Sequence, residues 1–245
     1  MPPLEWQAST VSGIRVETPQ TKSFTLVLPR WMAHQPGQHY DIRLTDPDGY
    51  QTERSYSVAS EPERTGVIEL TVERIADGEV SPYLHDIVMP GDRLEVRGPV
   101  GGYFIWNVEI GGPLLLLGGG SGVVPLMAML RHRAAHKSPI SARLLYSART
   151  VDDVIYRSEL EQLAQGDRAL EVVFTFTRQA PLGWTGYSRR IDGAMLREVM
   201  GPLGSKVHAY ICGPTLLVEA VASTLVQMDL SPQQIRTERF GPTGK

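Results

Sequence analysis

Two short runs about 60 residues apart bring together residue types that can do chemistry. The first is Arg54-Ser55-Tyr56-Ser57. Alternate residues of a strand share a face, so in an extended run Arg54 and Tyr56 point together while Ser57 is offered to the other side. Arginine presents a permanently charged fork that fits a phosphate, tyrosine a flat amphipathic ring, and serine a hydroxyl donor. A flat ring system carrying a phosphate, such as a flavin, needs all three. The second run is Leu117-Gly118-Gly119-Gly120-Ser121-Gly122-Val123-Val124-Pro125, lying between an apolar stretch and a helical one. Glycines let a backbone approach closely, and the N–H groups at a helix start attract anions. Gly120, Ser121 and Gly122 are therefore candidates to cradle a nucleotide pyrophosphate. The strict Gly-x-Gly-x-x-Gly spacing is absent, because Val123 takes the third glycine position counted from Gly118, and Pro125 takes it counted from Gly120.

Four weaker pieces follow the same order along the chain. Gly78-Glu79-Val80-Ser81 opens a short helical stretch, with Ser81 placed to cap it and to touch a phosphate. Gly98-Pro99-Val100-Gly101-Gly102-Tyr103-Phe104 closes the strand-rich part. Cys212-Gly213-Pro214 follows a predicted strand and precedes a helix; no His–Asp partnership accompanies the thiol, so nothing marks it as a nucleophile. Thr237-Glu238-Arg239-Phe240-Gly241 lies near the end. Taken singly, these are also an ordinary helix cap, a plain turn, a small buried hydrophobe and an edge strand.

The elements that must position these residues fall into two halves. Runs of period-2 or β-branched character at 13–17, 21–28, 39–44, 54–59, 67–74 and 93–98 are separated by turn chemistry such as Gln35-Pro36-Gly37-Gln38 and Met89-Pro90-Gly91-Asp92, and six strands so spaced predict a small antiparallel barrel or sandwich. A short helix over 81–87 interrupts them, with Leu84, Ile87 and Val88 as its inward face. After Gly111-Gly112-Pro113, strands at 114–118, 141–146, 170–177 and 208–212 alternate with helices at 123–135, 156–165, 194–200 and 216–228. That alternation predicts a parallel sheet wound on both faces. The halves divide into residues 1–107 and 108–245.

Composition narrows the function. A single cysteine excludes a disulfide framework within the chain and a four-thiolate iron–sulfur cluster built from it. A net charge of −3 argues against nonspecific nucleic-acid binding. Residues 1–105 carry 9 basic against 15 acidic side chains, and residues 106–245 carry 15 against 12, a balance that suits a polyanionic ligand in the second half. No run approaches 18 apolar residues and no apolar leader opens the sequence, so the expectation is a cytoplasmic monomer without membrane insertion. His132 and His136 have a metal-capable i, i+4 spacing, but residue 133 is not Glu and no third ligand is evident. They are expected to face solvent, and no metal is expected.

In this order and spacing the pieces resemble the ferredoxin–NADP reductase family, in its bacterial ferredoxin- and oxygenase-reductase form without an iron–sulfur domain of its own. The family's Arg-x-Tyr-Ser falls on Arg54, Tyr56 and Ser57, with Ser55 at the variable position. Gly-x-x-Ser falls on Gly78 and Ser81, and Gly-Pro-x-Gly-x-Phe is nearly matched at 98–104 with one extra residue. The family's Gly-Thr-Gly-x-Gly-x-x-Pro fits residues 118–125. The resemblance implies a six-stranded antiparallel FAD-binding barrel followed by a parallel, doubly wound NAD(P)-binding domain. It implies that Arg54 and the 79–81 backbone (Glu79, Val80, Ser81) hold the FAD pyrophosphate, that Tyr56 packs on the isoalloxazine, and that Ser57 hydrogen-bonds near N5. Cys212, Gly213 and Pro214 would lie at the nicotinamide. Glu238 would manage protons or orient the nicotinamide, and Phe240 would shield the flavin. Hydride would pass from nicotinamide C4 to flavin N5, and electrons onward to a separate acceptor, a ferredoxin or the iron–sulfur component of an oxygenase. Alternatives are a reductase releasing free reduced flavin, or an electron-transfer subunit active only in a larger complex. Arg178 at a strand end, Arg189 and Arg190 beyond it, and Arg149 after the preceding strand favour NADPH over NADH, although arginine makes up 20 of the 24 basic residues.

Overall fold

The structure, a computed structural model, describes residues 4–240. The first half forms β1 (Gln7–Thr18), β2 (Thr21–Val27), β3 (His39–Thr45), β4 (Gln51–Ser57), β5 (Val67–Glu73), the helix α1 (Val80–Asp86) and β6 (Arg93–Val100). All strand pairs are antiparallel, in the order β4-β3-β6-β1-β2-β5. The two edges meet just beyond β4, where Val58 bridges Leu70 and the Ala59 N–H donates to Glu69 O at 2.8 Å. That seam closes the sheet into a barrel around Phe24, Leu26, Ile42, Ile68, Leu70 and Val96.

Two details depart from the sequence reading. β1 begins at Gln7 rather than near Gly13, because Gln7–Thr10 pair with β6 while later residues pair with β2, with an irregularity between Val11 and Gly13. Polar Gln7 and Ser9 break the apolar alternation that marks a strand, yet both are buried and satisfied; Ser9 Oγ donates to Leu94 O at 2.9 Å. In α1, Leu84 and Val88 face inward but Ile87 is exposed, since the helix ends at Asp86 and Ile87 turns outward at its cap.

The second half forms β7 (Leu114–Gly119), α2 (Val123–Ala135), β8 (Ala142–Ala148), α3 (Arg157–Gly166), β9 (Leu170–Phe176), α4 (Gly193–Met200), β10 (His208–Pro214), α5 (Thr215–Gln227) and β11 (Ile235–Phe240). Its strands are parallel in the order β11-β10-β7-β8-β9. β7 is central and apolar throughout because both its faces are covered. Leu114 and Leu116 pack with Leu126, Leu130 and Leu160 on one side, and Leu115 and Leu117 pack with Leu196, Val218 and Val221 on the other.

The halves are joined by more than the chain. Arg131 on α2 donates to Ala59 O at 2.9 Å and to Glu69 Oε1 at 2.7 Å on the barrel seam, and pairs with Glu159 on α3 at 2.7 Å. Glu159 is therefore part of this junction. Tyr156, buried beneath the Arg131 guanidinium, donates to Thr71 Oγ1 at 2.5 Å across the same junction.

Candidate functional site

The strand order decides where ligands can bind. From β7 the chain runs to β8 and β9 on one side, then crosses to β10 on the other. Open α/β sheets bind ligands at such a switch, in the crevice beyond the carboxyl ends of the strands. Three sequence-predicted pieces meet there. The glycine run follows β7, Cys212-Gly213-Pro214 ends β10, and Glu238 lies on β11. Gly118, Cys212 and Glu238 form one row, since Cys212 is in register with Gly118 on one side and with Glu238 on the other.

The packing of that row requires glycine. Gly120 has φ +55, and a Cβ on Gly122 would lie 2.1 Å from the Cys212 carbonyl oxygen. The turn at 120–122 leads directly into α2, whose first turn contains no acidic residue. The result is a tight, anion-compatible backbone loop seated against β10. Ser121 is less free than the sequence implied, because its hydroxyl donates to Glu73 Oε2 at 2.7 Å, at the end of β5.

Burial governs the electrostatics. Cys212 is fully buried, and enclosure together with the neighbouring Glu238 carboxyl pushes its thiol well above the ordinary range, so it remains a neutral thiol. Burial raises Glu238 to about 7. Glu238 Oε2 is buried with no hydrogen-bond partner among the described residues, and so is Ser57 Oγ at the end of β4. Unpaired buried polar atoms cost about 1–3 kcal/mol each. Phe240, paired with Pro214, packs against the second core; Gly241 lies outside the described residues.

On the barrel, β4 runs beside β3, so Arg54, Ser55, Tyr56 and Ser57 stand opposite Ile42, Asp41, Tyr40 and His39. Arg54 is exposed, and among the described residues its guanidinium makes one hydrogen bond, to the Glu53 carbonyl at 2.7 Å, which leaves most of its fork free. Tyr56 packs on the barrel core, and its buried phenol is shifted upward and stays protonated. Ser55 instead donates to Asp41 Oδ1 at 2.6 Å, and Asp41 pairs with Arg97 at 2.8 Å. Gly78 and Glu79 precede α1, and Val80 and Ser81 form its first turn. Ser81 does not cap the helix as expected. It sits buried inside that turn, and its oxygen accepts from the Ile75 N–H at 3.0 Å, shaping the loop that carries residues 78–81.

The arginines divide. Arg149 and Arg178 are exposed neighbours at the ends of β8 and β9, where the Arg178 N–H donates to Arg149 O at 2.9 Å. Arg189 is paired with Asp192 at 2.6 Å and stacks over Tyr187, while Arg190 is exposed.

The histidines require a correction. His132 is buried rather than solvent-facing, and a third group, Glu63 from the barrel, joins it and His136. The Val108 N–H donates to His132 Nε2 at 3.3 Å, so Nδ1 carries the proton and donates to Glu63 Oε1 at 2.8 Å. Both ring nitrogens are thus engaged, and burial holds the imidazole's pKa down. Glu63 lies 69 residues from His132, and no spacing rule reaches it. Glu73 was missed for a similar reason: in the sequence it is only the polar end of a strand.

The residues present fit a flavin and a nicotinamide dinucleotide, on the evidence of the orphaned Ser57 and Glu238 oxygens and the glycine-only contact at Gly122. Comparison with known proteins agrees. Residues 9–105 match the oxidoreductase FAD-binding domain family, and residues 116–223 match the oxidoreductase NAD-binding domain family. The ferredoxin–NADP reductase B of Sorangium cellulosum is 34% identical over 210 residues, covering 84% of this chain and 85% of that protein. The glycine betaine monooxygenase reductase subunit of Chromohalobacter salexigens is 33% identical over 211 residues, covering 85% of this chain but 56% of that protein. The chain spans less than two thirds of the length of the first curated relatives it matches. A ferredoxin NADP+ reductase structure from Neisseria gonorrhoeae with bound FAD and NADP superposes with a TM-score of 0.82 at 21% identity, over 96% of this chain and 98% of that one.

Proposed function

Because the chain belongs to the ferredoxin–NADP reductase-like family of FAD- and NAD-binding oxidoreductases, we propose that it draws electrons from NADPH and delivers them through FAD to a separate redox protein. The observation that carries this reading is the row Gly118, Cys212 and Glu238 beneath the glycine loop. We assign residues 1–107 to the flavin and 108–245 to the dinucleotide. Bound FAD supplies the conversion between hydride and single-electron transfer, which no side chain here can perform.

The side chains bind and orient. Arg54 and the backbone of 79–81 would neutralise the FAD pyrophosphate, and Ser57 would offer its unpartnered hydroxyl to the ring. Gly120–Gly122 would take the dinucleotide pyrophosphate. The neutral Cys212 thiol gives the nicotinamide a compact apolar neighbour, and Glu238, raised to about 7, holds or releases a proton beside it near neutral pH. Phe240 would cover the ring.

NADPH is favoured over NADH because Arg149 and Arg178 stand together and exposed at the strand ends, ready for a 2′-phosphate. Arg189, held by Asp192, contributes less. The acceptor we propose is a ferredoxin or the iron–sulfur component of an oxygenase, on the strength of relatives named as monooxygenase reductase subunits and as a ferredoxin–NADP reductase. Among the described residues no helix is long and apolar enough to cross a membrane, and we propose a cytoplasmic monomer.

The visible spectrum of the purified protein, followed by anaerobic addition of NADPH and separately of NADH, tests the reading. Flavin absorbance that bleaches faster with NADPH supports it. Arg178→Ala should raise the KM for NADPH roughly tenfold, the loss of about one charge-assisted hydrogen bond, and leave NADH nearly unaffected. A protein that takes up no FAD on reconstitution would refute it.

A further inference from the structure

We propose that Glu73 sets how tightly the dinucleotide is held: its carboxylate braces the glycine loop through Ser121 and its charge opposes the pyrophosphate that the loop receives. This rests on the reading of residues 118–125 as a pyrophosphate loop. Glu73 ends β5 on the barrel, and Ser121 lies in the turn between β7 and α2, so the 2.7 Å hydrogen bond between them spans the two halves at the mouth of the loop.

The carboxylate is out of keeping with its surroundings. The turn's backbone N–H groups and the start of a helix with no acidic residue in its first turn both favour an anion here. Among the described residues no cation pairs with Glu73. The adjacent Arg74 is paired with Asp86 at 2.8 Å, and Lys22, on the neighbouring strand β2, donates to the His85 carbonyl at 2.7 Å. Among the described residues the Ser121 hydroxyl is the only hydrogen-bond partner of the Glu73 side chain. Its charge also reaches the buried Tyr146 phenol, which burial chiefly and Glu73 in part hold protonated. A bound pyrophosphate would thus meet a fixed, uncompensated negative charge attached to its own cradle.

The brace and the charge separate by mutation. Glu73→Gln keeps an acceptor for Ser121 and removes the charge. Glu73→Asp keeps the charge on a shorter stem. Ser121→Ala keeps the charge and removes the brace. The measurement is the Kd of NADP+ for each FAD-loaded protein, from the flavin difference spectrum, at low and at high salt. E73Q should bind NADP+ roughly threefold to tenfold more tightly at low salt, the effect of one unit charge ~6 Å away at an effective dielectric of ~80 to ~40. The advantage should shrink as salt rises, because screening removes a charge effect and not a packing effect. E73D should stay close to the wild type, and S121A should gain no affinity. Equal or weaker NADP+ binding by E73Q at low salt overturns the proposal, as does a gain that salt leaves unchanged. A wild-type protein that holds FAD yet gives no difference spectrum with NADP+ overturns the loop reading itself, and this inference with it.

Discussion

A carboxyl group enclosed among apolar neighbours keeps its proton to higher pH than one in water, and Glu238 is such a group. Its value, about 7, lies above the ordinary 4.5, so folding favours its protonated form. The stabilisation from that form is complete below about 4.5 and is lost as pH rises through about 7. The melting temperature of the flavin-free protein should therefore fall across that window, and Glu238→Gln should flatten the slope. Parallel slopes for the two proteins would refute the assignment. The same enclosure keeps Cys212 a thiol, so alkylating reagents should modify the native protein slowly and the unfolded protein fast.

Among the elements, the turn between β7 and α2 carries the tightest constraint, since a Cβ on Gly122 would lie 2.1 Å from the Cys212 carbonyl. Gly122→Ala should force the loop away from β10, at a cost of about 1–3 kcal/mol in stability, and weaken NADP+ binding. Urea denaturation and the flavin difference spectrum measure the two effects. This turn was legible in the sequence because its signal is local, with glycines, a small polar residue and a proline in fixed positions between an apolar strand and a helix. The strands of the barrel and β7 to β10 were legible for the same reason, whereas β11, offered only as a plain edge strand, was not, because only Ile235 of its six residues is buried and no apolar alternation marks it. The first residues of β1 were not, because Gln7 and Ser9 are buried polar residues satisfied by distant carbonyls. Glu63 beside His132 and Glu73 beside Ser121 escaped because periodicity shows which face of an element is apolar and not which distant element arrives there. The capping role expected for Ser81 failed by two positions, within the usual uncertainty of a helix start.

Across the whole molecule, the junction of the two halves depends on Arg131. Its side chain is 10% exposed, and its partner Glu69 is 5% exposed. Removing one member of a buried ion pair leaves the others uncompensated, at about 3–5 kcal/mol. Arg131→Met should lower the urea midpoint accordingly and release flavin before the parallel sheet melts, as followed by flavin fluorescence against far-UV circular dichroism; coincident transitions would show that the junction does not couple the halves. The strand orders carry a further consequence for synthesis. β6, made last in the barrel, lies between β3 and β1, and β10, made late in the second half, lies between β7 and β11. The barrel therefore waits for a late strand to enter its middle, whereas the second sheet grows outward from β7 at one edge, first by β10 and then by β11. A ribosome paused before residue 93 would display two groups of strands, β3–β4 and β1–β2–β5, joined only at the Val58–Leu70 seam, whose facing edges both await the same missing partner, and nascent chains of that length are where holding chaperones should be most needed.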